Sequence, residues 1–318
     1  MKLELNEKIE AMKNQTFGCE IEMNEITRED AAKAVAEYFG TRAWRNTNDF
    51  TYKSWSCEDR TGRIWKFMRD GSIVGPDEEK CEMVTPILRY EDMENLQEIV
   101  RLLRKKGAKS DPSRGCGVHI HIGANGHTPH TLRNLVNIMA AHENLLIASM
   151  GISENRLSTY CSTVDPRFLR RLNDEKPDTM QKLADVWYES QCCDGNRDAH
   201  YNHSRYHILN LHATFTKGTV EFRMFQFNEP CGEKQNGLHA GQLKAYIQLC
   251  LAVNAMAKYT AKACAKPHAD ARELSVRRMR SWLFQMGMVG DEFATARELY
   301  SGRCERYAVQ HREAREAA

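Results

Sequence analysis

Three well-separated segments alternate ionisable with apolar side chains: FGCEIEM (Phe17–Met23), GCGVHIHIG (Gly115–Gly123) and TVEFRMF (Thr219–Phe225). In an extended strand, residues two apart share a face. Glu20 and Glu22 therefore point away from Cys19, Ile21 and Met23, His119 and His121 away from Val118, Ile120 and Ile122, and Glu221 and Arg223 away from Val220, Phe222 and Met224. A fourth segment, CEMVTPIL from Cys81, adds Glu82. Half-exposed strands often alternate for solvation alone. An ordinary outer face mixes Thr, Lys, Ser and Arg, however, whereas these strands offer carboxylate or imidazole almost exclusively. Such groups facing one space repel one another or change protonation unless cations sit among them. Carboxylate oxygens dominate and no cysteine joins them, so the donor set is hard and suits Mg²⁺ or Mn²⁺ better than structural zinc. Mg²⁺ held by several carboxylates without a complete cage commonly takes phosphate oxygens too. Arg223, beside Glu221, carries the forked guanidinium that phosphate wants.

Other residues carry two readings each. Asp70, in RDGS at a strand end, is either a turn residue or a group that holds or deprotonates an incoming amine. His121 fits a supporting hydrogen bond better than direct metal binding. Tyr206, Asn210 and His212 share a face of the strand expected before Glu221, where they contact a nucleotide or substrate or simply pair across strands; Arg205 has the opposite parity. Arg156, in ENRLSTYC, falls in an expected loop, either solvated or clamping a substrate carboxylate. Cys192, Cys193, His200 and His203 offer zinc donors, but the adjacent cysteine pair is poor geometry for a tetrahedral site. The basic amphipathic helix SVRRMRSWLFQMG suits a membrane surface or a partner, or packing on its own domain.

The elements that must position these groups are legible. TREDAAKAVAEYFG opens on Thr27 as an N-cap and stops at Gly40; EDMENLQEIVRLLRKKG carries Leu96, Ile99, Val100 and Leu103 on one face. Strands are expected over 15–23, 63–69, from Cys81 towards Pro86, and through GVHIHIG; TPHTLRNLVNIMAAHENLLIASMG is a helix, and RYHILNLHATF-TKG-TVEFRMFQF a hairpin turning at Gly218. Beyond Gly237 the chain turns strongly helical. Antiparallel strands with flanking helices make an α+β protein. The simplest division is a catalytic domain over 1–236 and a helical extension over 237–318.

With 318 residues, 42% of them hydrophobic, the chain can bury a sizeable core. A formal net charge of +2 and no long run of Lys or Arg leave no footprint for nucleic acid. The N-terminus, MKLELNEKIEAMKNQ, lacks the apolar stretch of a signal peptide, and no apolar run reaches membrane-spanning length. Eleven cysteines without CxxC pairs or regular spacing fit reduced thiols. The expectation is a cytoplasmic protein whose partners are small molecules or peptides, not nucleic acid or membrane; the oligomeric state is not legible.

The ordered set Glu-x-Glu, a carboxylate in CEMVTP, GVHIHIG and Thr-Val-Glu-Phe-Arg resembles the carboxylate-amine ligase superfamily that contains glutamine synthetase and glutamate-cysteine ligase. The spacing, with Asp70-Gly71-Ser72 before Glu82, resembles most closely its amidoligase family, over Phe17 to Phe227. The resemblance implies a curved, mainly antiparallel sheet with two metal positions on its inner face. Glu20, His119 and Glu221 match the ligands of the metal at the nucleotide's terminal phosphates. Glu22 and Glu82 match those of a second metal near the reacting carboxylate, whose further carboxylate ligand is unplaced, with Glu78 or Glu79 as candidates. Arg223 matches the arginine that contacts the transferred phosphate. Arg205, Asn210, Arg156 and His121 are expected at the ATP or substrate. The implied reaction is ATP- and Mg²⁺-dependent formation of an amide or isopeptide bond through an acyl phosphate, which needs no protein nucleophile. A metal-dependent hydrolase or phosphoesterase could use the same cluster to activate water; a non-catalytic binding module would be expected to lose one of the four carboxylates, and Glu20, Glu22, Glu82 and Glu221 are all present.

Overall fold

The computed structural model describes residues 3–152, 154–191, 196–227, 237–267 and 276–316. The chain divides into two compact units. One contains residues 16–120 and 225–244; the other contains residues up to 15, with helix α1 (Leu5–Lys13), 121–224 and from 245 on.

The first unit is built on strands β1 (Phe17–Met23), β2 (Ala43–Arg45), β3 (Trp55–Glu58), β4 (Ile64–Met68), β5 (Cys81–Val84) and the start of β6 (Val118–Gly123). Their order is β2-β3-β4-β5-β1-β6, and β2-β3, β3-β4, β4-β5 and β5-β1 pair antiparallel. The alternation expected from the sequence sorts the two faces. Cys19, Ile21, Met23, Cys57, Trp65, Phe67, Cys81, Met83, Val118 and Ile120 are buried. Helix α2 (Arg28–Phe39) packs across β2, β3 and β4, and helix α3 (Met93–Lys105) packs on α2. Thr27 caps α2 by accepting the Asp30 N–H at 3.0 Å, and Gly40 ends it with φ +71°, as its sequence predicts. In α3 the predicted face of Leu96, Ile99, Val100 and Leu103 is fully buried.

In the second unit the strand order is β6-β8-β7, with β8 spanning Thr219–Phe225. Here the expected hairpin is corrected. Strand β7 is only Leu209–Asn210, paired antiparallel as Leu209↔Phe222 and Asn210↔Glu221, and residues His212–Lys217 coil into a short helix. The Asn210 side chain accepts the His212 N–H at 2.8 Å, diverting the backbone from the ladder, and Gly218 (φ +69°) ends the turn. His212 is therefore not on a strand face with Asn210, and Tyr206 and Arg205 lie at a 3-10 turn, His203–Arg205.

Long helices complete this unit: Pro129–Met150, the part of Ala240–Tyr259 from Ala245 on, Val276–Gln285 and Ala294–Glu316. The Pro129–Met150 helix packs on Ala294–Glu316, where Arg303 donates to the Tyr246 hydroxyl at 3.1 Å. The basic helix Val276–Gln285 packs on Ala294–Glu316. It buries Met279, Trp282 and Leu283, Trp282 stacking on His142 with centroids 4.1 Å apart, while Arg277, Arg278 and Arg280 stay exposed. Its amphipathicity thus serves packing within its own unit. Among the described residues no helix is long and apolar enough to cross a membrane.

Candidate metal and ligand sites

In the first unit the polar face of the sheet gathers five of the expected residues. Register places Glu22 of β1 directly opposite Glu82 of β5, and Met68 of β4 opposite Glu82 on its other side. His119 lies between the two glutamates of β1: Nδ1 is 3.1 Å from Glu20 Oε2, and Nε2 is 3.8 Å from Glu22 Oε1. The Gly117 N–H donates to Glu22 Oε2 at 2.6 Å and fixes that carboxylate. Glu20, Glu82 and His119 bring one ligand atom each within 4.8 Å of one another; so do Glu22, Asp70 and Glu82. Glu82 belongs to both sets.

Asp70 keeps the turn role read from sequence. Its Oδ1 accepts the Ser72 N–H and hydroxyl, both at 2.6 Å, which is the expected turn chemistry, yet the turn carries the carboxylate to Glu22 and Glu82. The third carboxylate beside that pair is therefore Asp70, whereas Glu78 and Glu79, in the 3-10 turn Asp77–Glu79, belong to neither set. Residue order carries no signal for this, because the strand ends at Met68 and Asp70 lies beyond it. Gly115 holds the turn in place: at φ +87° a Cβ there would stand 2.6 Å from the Ser72 carbonyl oxygen, so only glycine allows this approach.

The donor chemistry fits a hard divalent cation. Four carboxylates and one imidazole make an oxygen-rich set, while the nearby thiols of Cys19, Cys81 and Cys116 are buried with the apolar side chains. Two charged carboxylates within 4.8 Å of each other repel by roughly 3 kcal/mol or more at an effective dielectric of 20. That repulsion is removed by a cation shared between them. Burial, and secondarily the Glu22 charge, push the Cys116 thiol up to about 12, so this neighbour is no nucleophile at neutral pH.

In the second unit Glu221, 1% exposed, is held by two donors: Arg223 Nη1 at 2.5 Å and Asn210 Nδ2 at 2.6 Å. His121 Nδ1 pairs with the Thr219 hydroxyl at 2.9 Å, and its Nε2 lies 3.8 Å from Glu221 Oε1. Arg156 is not a solvated loop residue. It is 3% exposed on the helix Glu154–Thr159 and donates to the Arg223 carbonyl at 3.2 Å, bracing the strand that presents Arg223. Arg205 and Asn210 line, with His212, Thr216, Lys217 and Glu221, a cavity of about 210 Å³. The Arg205 guanidinium donates to the His200 carbonyl at 2.9 Å and lies over the Tyr201 ring at 5.4 Å. Sequence reading missed Tyr188, whose hydroxyl meets His212 Nδ1 at 2.7 Å; it lies in a stretch with no legible motif. Of the suggested zinc donors, Cys192 and Cys193 lie outside the described residues.

An oxygen-rich acidic face in one unit and a buried Glu-x-Arg pair in the other are features expected of a carboxylate-amine ligase. The chain belongs to the family described as "Putative amidoligase enzyme", whose model matches residues 13–254. Among solved structures the chain is similar to a bifunctional glutathione synthetase from Pasteurella multocida, with 15% sequence identity and a TM-score of 0.42. That match covers 98% of this chain and 51% of the other, so the chain spans about half the length of that protein. No curated protein matches it.

Proposed function

We propose that the protein is an ATP- and Mg²⁺-dependent ligase that joins a carboxylate to an amine, with an amino acid or peptide as substrate. The observation that carries this reading is the acidic face of the first unit, where Glu20, Glu22, Glu82, Asp70 and His119 form two overlapping donor sets around Glu82. From the first unit, Glu20 and His119 are residues to hold the ion at the nucleotide phosphates, and Glu22, Glu82 and Asp70 those to hold a second at the reacting carboxylate. Bound there, Mg²⁺ supplies charge neutralisation for oxygens that would otherwise repel.

The chemistry assigns the remaining parts. A substrate carboxylate oxygen attacks the γ-phosphorus of ATP, the bond to the bridging oxygen breaks, and ADP leaves. The amine, as free base, then attacks the acyl carbon and expels phosphate. Arg223 is suited to the phosphoryl oxygens in transit, because Arg156 and Glu221 fix its backbone and its guanidinium in advance. Asn210 locks the Glu221 carboxylate, and His121 stands behind it. Arg205 offers a cation to the nucleotide or substrate from the cavity wall. A cytoplasmic setting belongs to this reading, since eleven cysteines without CxxC pairs or regular spacing fit reduced thiols.

The test is ADP release. It should require both a carboxylate and an amine, whereas a hydrolase built on the same cluster would turn over without nucleotide. Arg223→Lys should lose at least about a hundredfold in kcat, since a point charge does not reproduce the fork; full activity in that variant would show that Arg223 serves only the fold.

A further inference from the structure

Glu22, Glu82 and Asp70 come from three separate segments of the first unit, so their spacing depends on what ties those segments together. The pairing of β1 with β5 fixes Glu22 against Glu82, but Asp70 lies beyond the last residue of β4, outside the ladder. Charged side chains close that gap. Arg28, the first residue of α2 and 7% exposed, donates to three carbonyls: to Lys53 from Nε at 3.2 Å, and to Asp77 and Lys80 from Nη1 at 2.7 and 2.8 Å. Lys80 stands two residues before Glu82, and Tyr52, next to Lys53, accepts the Arg69 N–H at 2.8 Å. One buried guanidinium thus ties the entry of β5 to the loop that holds the backbone just before Asp70.

The Asp77 carboxylate repeats the connection through side chains. Its Oδ1 accepts from Arg69 Nε at 2.5 Å and its Oδ2 from Lys53 Nζ at 2.8 Å. Those hydrogen bonds, from Lys53 first and Arg69 second, hold Asp77 well below the usual carboxylate range, so it stays charged. Arg69 in turn lies against the Asp70 turn: a Cβ at Gly71 would stand 3.7 Å from its Nη1, an ordinary van der Waals contact. On the far side of the turn Gly115 admits the Ser72 carbonyl, and the Val74 N–H donates to the Arg114 carbonyl at 2.8 Å. The side chains of Asp77, Lys53 and Arg69 are 41%, 49% and 32% exposed, and ion pairs so exposed add little to stability. What they supply is placement.

We infer that Asp77, acting through Arg69, is a positioning residue for the cation held by Glu22, Glu82 and Asp70; this rests on the cation site within the ligase reading. Mg²⁺ demands near-octahedral oxygens at about 2.0–2.1 Å, so a carboxylate delivered by a turn is useful only if the turn is held. Partners that orient metal ligands are worth about ten- to a hundredfold in metal affinity. The inference also predicts a sign that charge alone does not. Arg69 is a cation adjoining an acidic set, and on charge alone its removal favours binding of another cation. If its task is to fasten the Asp70 turn to Asp77, its removal weakens binding instead.

The experiment titrates the full chain with Mn²⁺ alone, following free Mn²⁺ by electron paramagnetic resonance, and records the Tm without metal. Asp77→Asn and Arg69→Gln should each weaken Mn²⁺ binding about tenfold, and the double variant no further than either single one, because both cut the same link. The Tm should stay within about 3 °C of the parent in all three. Glu29→Gln removes the acid of another exposed ion pair, with Lys33 at 2.5 Å, and should leave Mn²⁺ affinity unchanged. Tighter or unchanged binding in Arg69→Gln overturns the inference, as do additive losses in the double variant or an equal loss in Glu29→Gln; each of these leaves the cation site and the ligase reading standing. A parent protein that binds no Mn²⁺ overturns the cation site and this inference with it.

Discussion

Glu82→Ala is expected to lower ligation by about a thousandfold or more, the largest single-residue effect in the first unit. Glu82 is the one residue common to both donor sets there, so its loss removes an oxygen from each, and it is also the strand position that Glu22 faces directly. The same change relieves repulsion among the remaining carboxylates, so thermal stability without Mg²⁺ should hold or rise while stabilisation by added Mg²⁺ falls. Glu78→Ala, in the neighbouring 3-10 turn, removes an equal charge outside both sets and should leave ADP release near the starting level. Equal losses in the two variants would mean that net acidity, not this geometry, is what matters.

Glu221→Gln should weaken nucleotide binding in Mg²⁺ by about ten- to a hundredfold while keeping the shape of the side chain. The carboxylate is buried and engaged by Arg223 and Asn210, so the substitution also leaves the Arg223 charge without that carboxylate. Disrupting such a pair costs about 3 kcal/mol of stability or more. The two consequences separate by measurement. Affinity for ATP, titrated well below the lowered Tm, reports the ligand role, and the Tm reports the pair. A fall in Tm with unchanged affinity would reduce Glu221 to a structural partner of Arg223.

The parts of this site that strand parity governs were legible from residue order. Glu20 and Glu22 share one face of β1 with Cys19, Ile21 and Met23 buried on the other, and Glu82 arrives opposite Glu22, because side-chain direction in a strand has a period of two. What parity does not govern was not legible. LNLHATF alternates apolar residues as a strand would, but the Asn210 side chain competes for the His212 N–H, and two residues of strand give way to helix. Arg156 carries no periodic signal at all. Its burial follows from a carbonyl on Arg223, far along the chain, which only tertiary packing brings near. Asp70 was read as turn or acid–base group because a DGS sequence announces the turn; that the turn delivers its carboxylate to Glu22 and Glu82 depends on Gly115, distant in sequence, admitting the Ser72 carbonyl.

The central claim is that the substrate carboxylate is activated by phosphorylation, and tracing its oxygen tests that most directly. A substrate labelled with heavy oxygen in its carboxylate, incubated with ATP, Mg²⁺ and amine, must pass one labelled oxygen to the released phosphate for each amide formed, because the attacking oxygen leaves with phosphorus. Glu82→Ala should abolish labelled phosphate while retaining some nucleotide binding. Label appearing in phosphate in proportion to product is the result the account predicts; amide formed with unlabelled phosphate would contradict it, even if the protein proved to be a ligase.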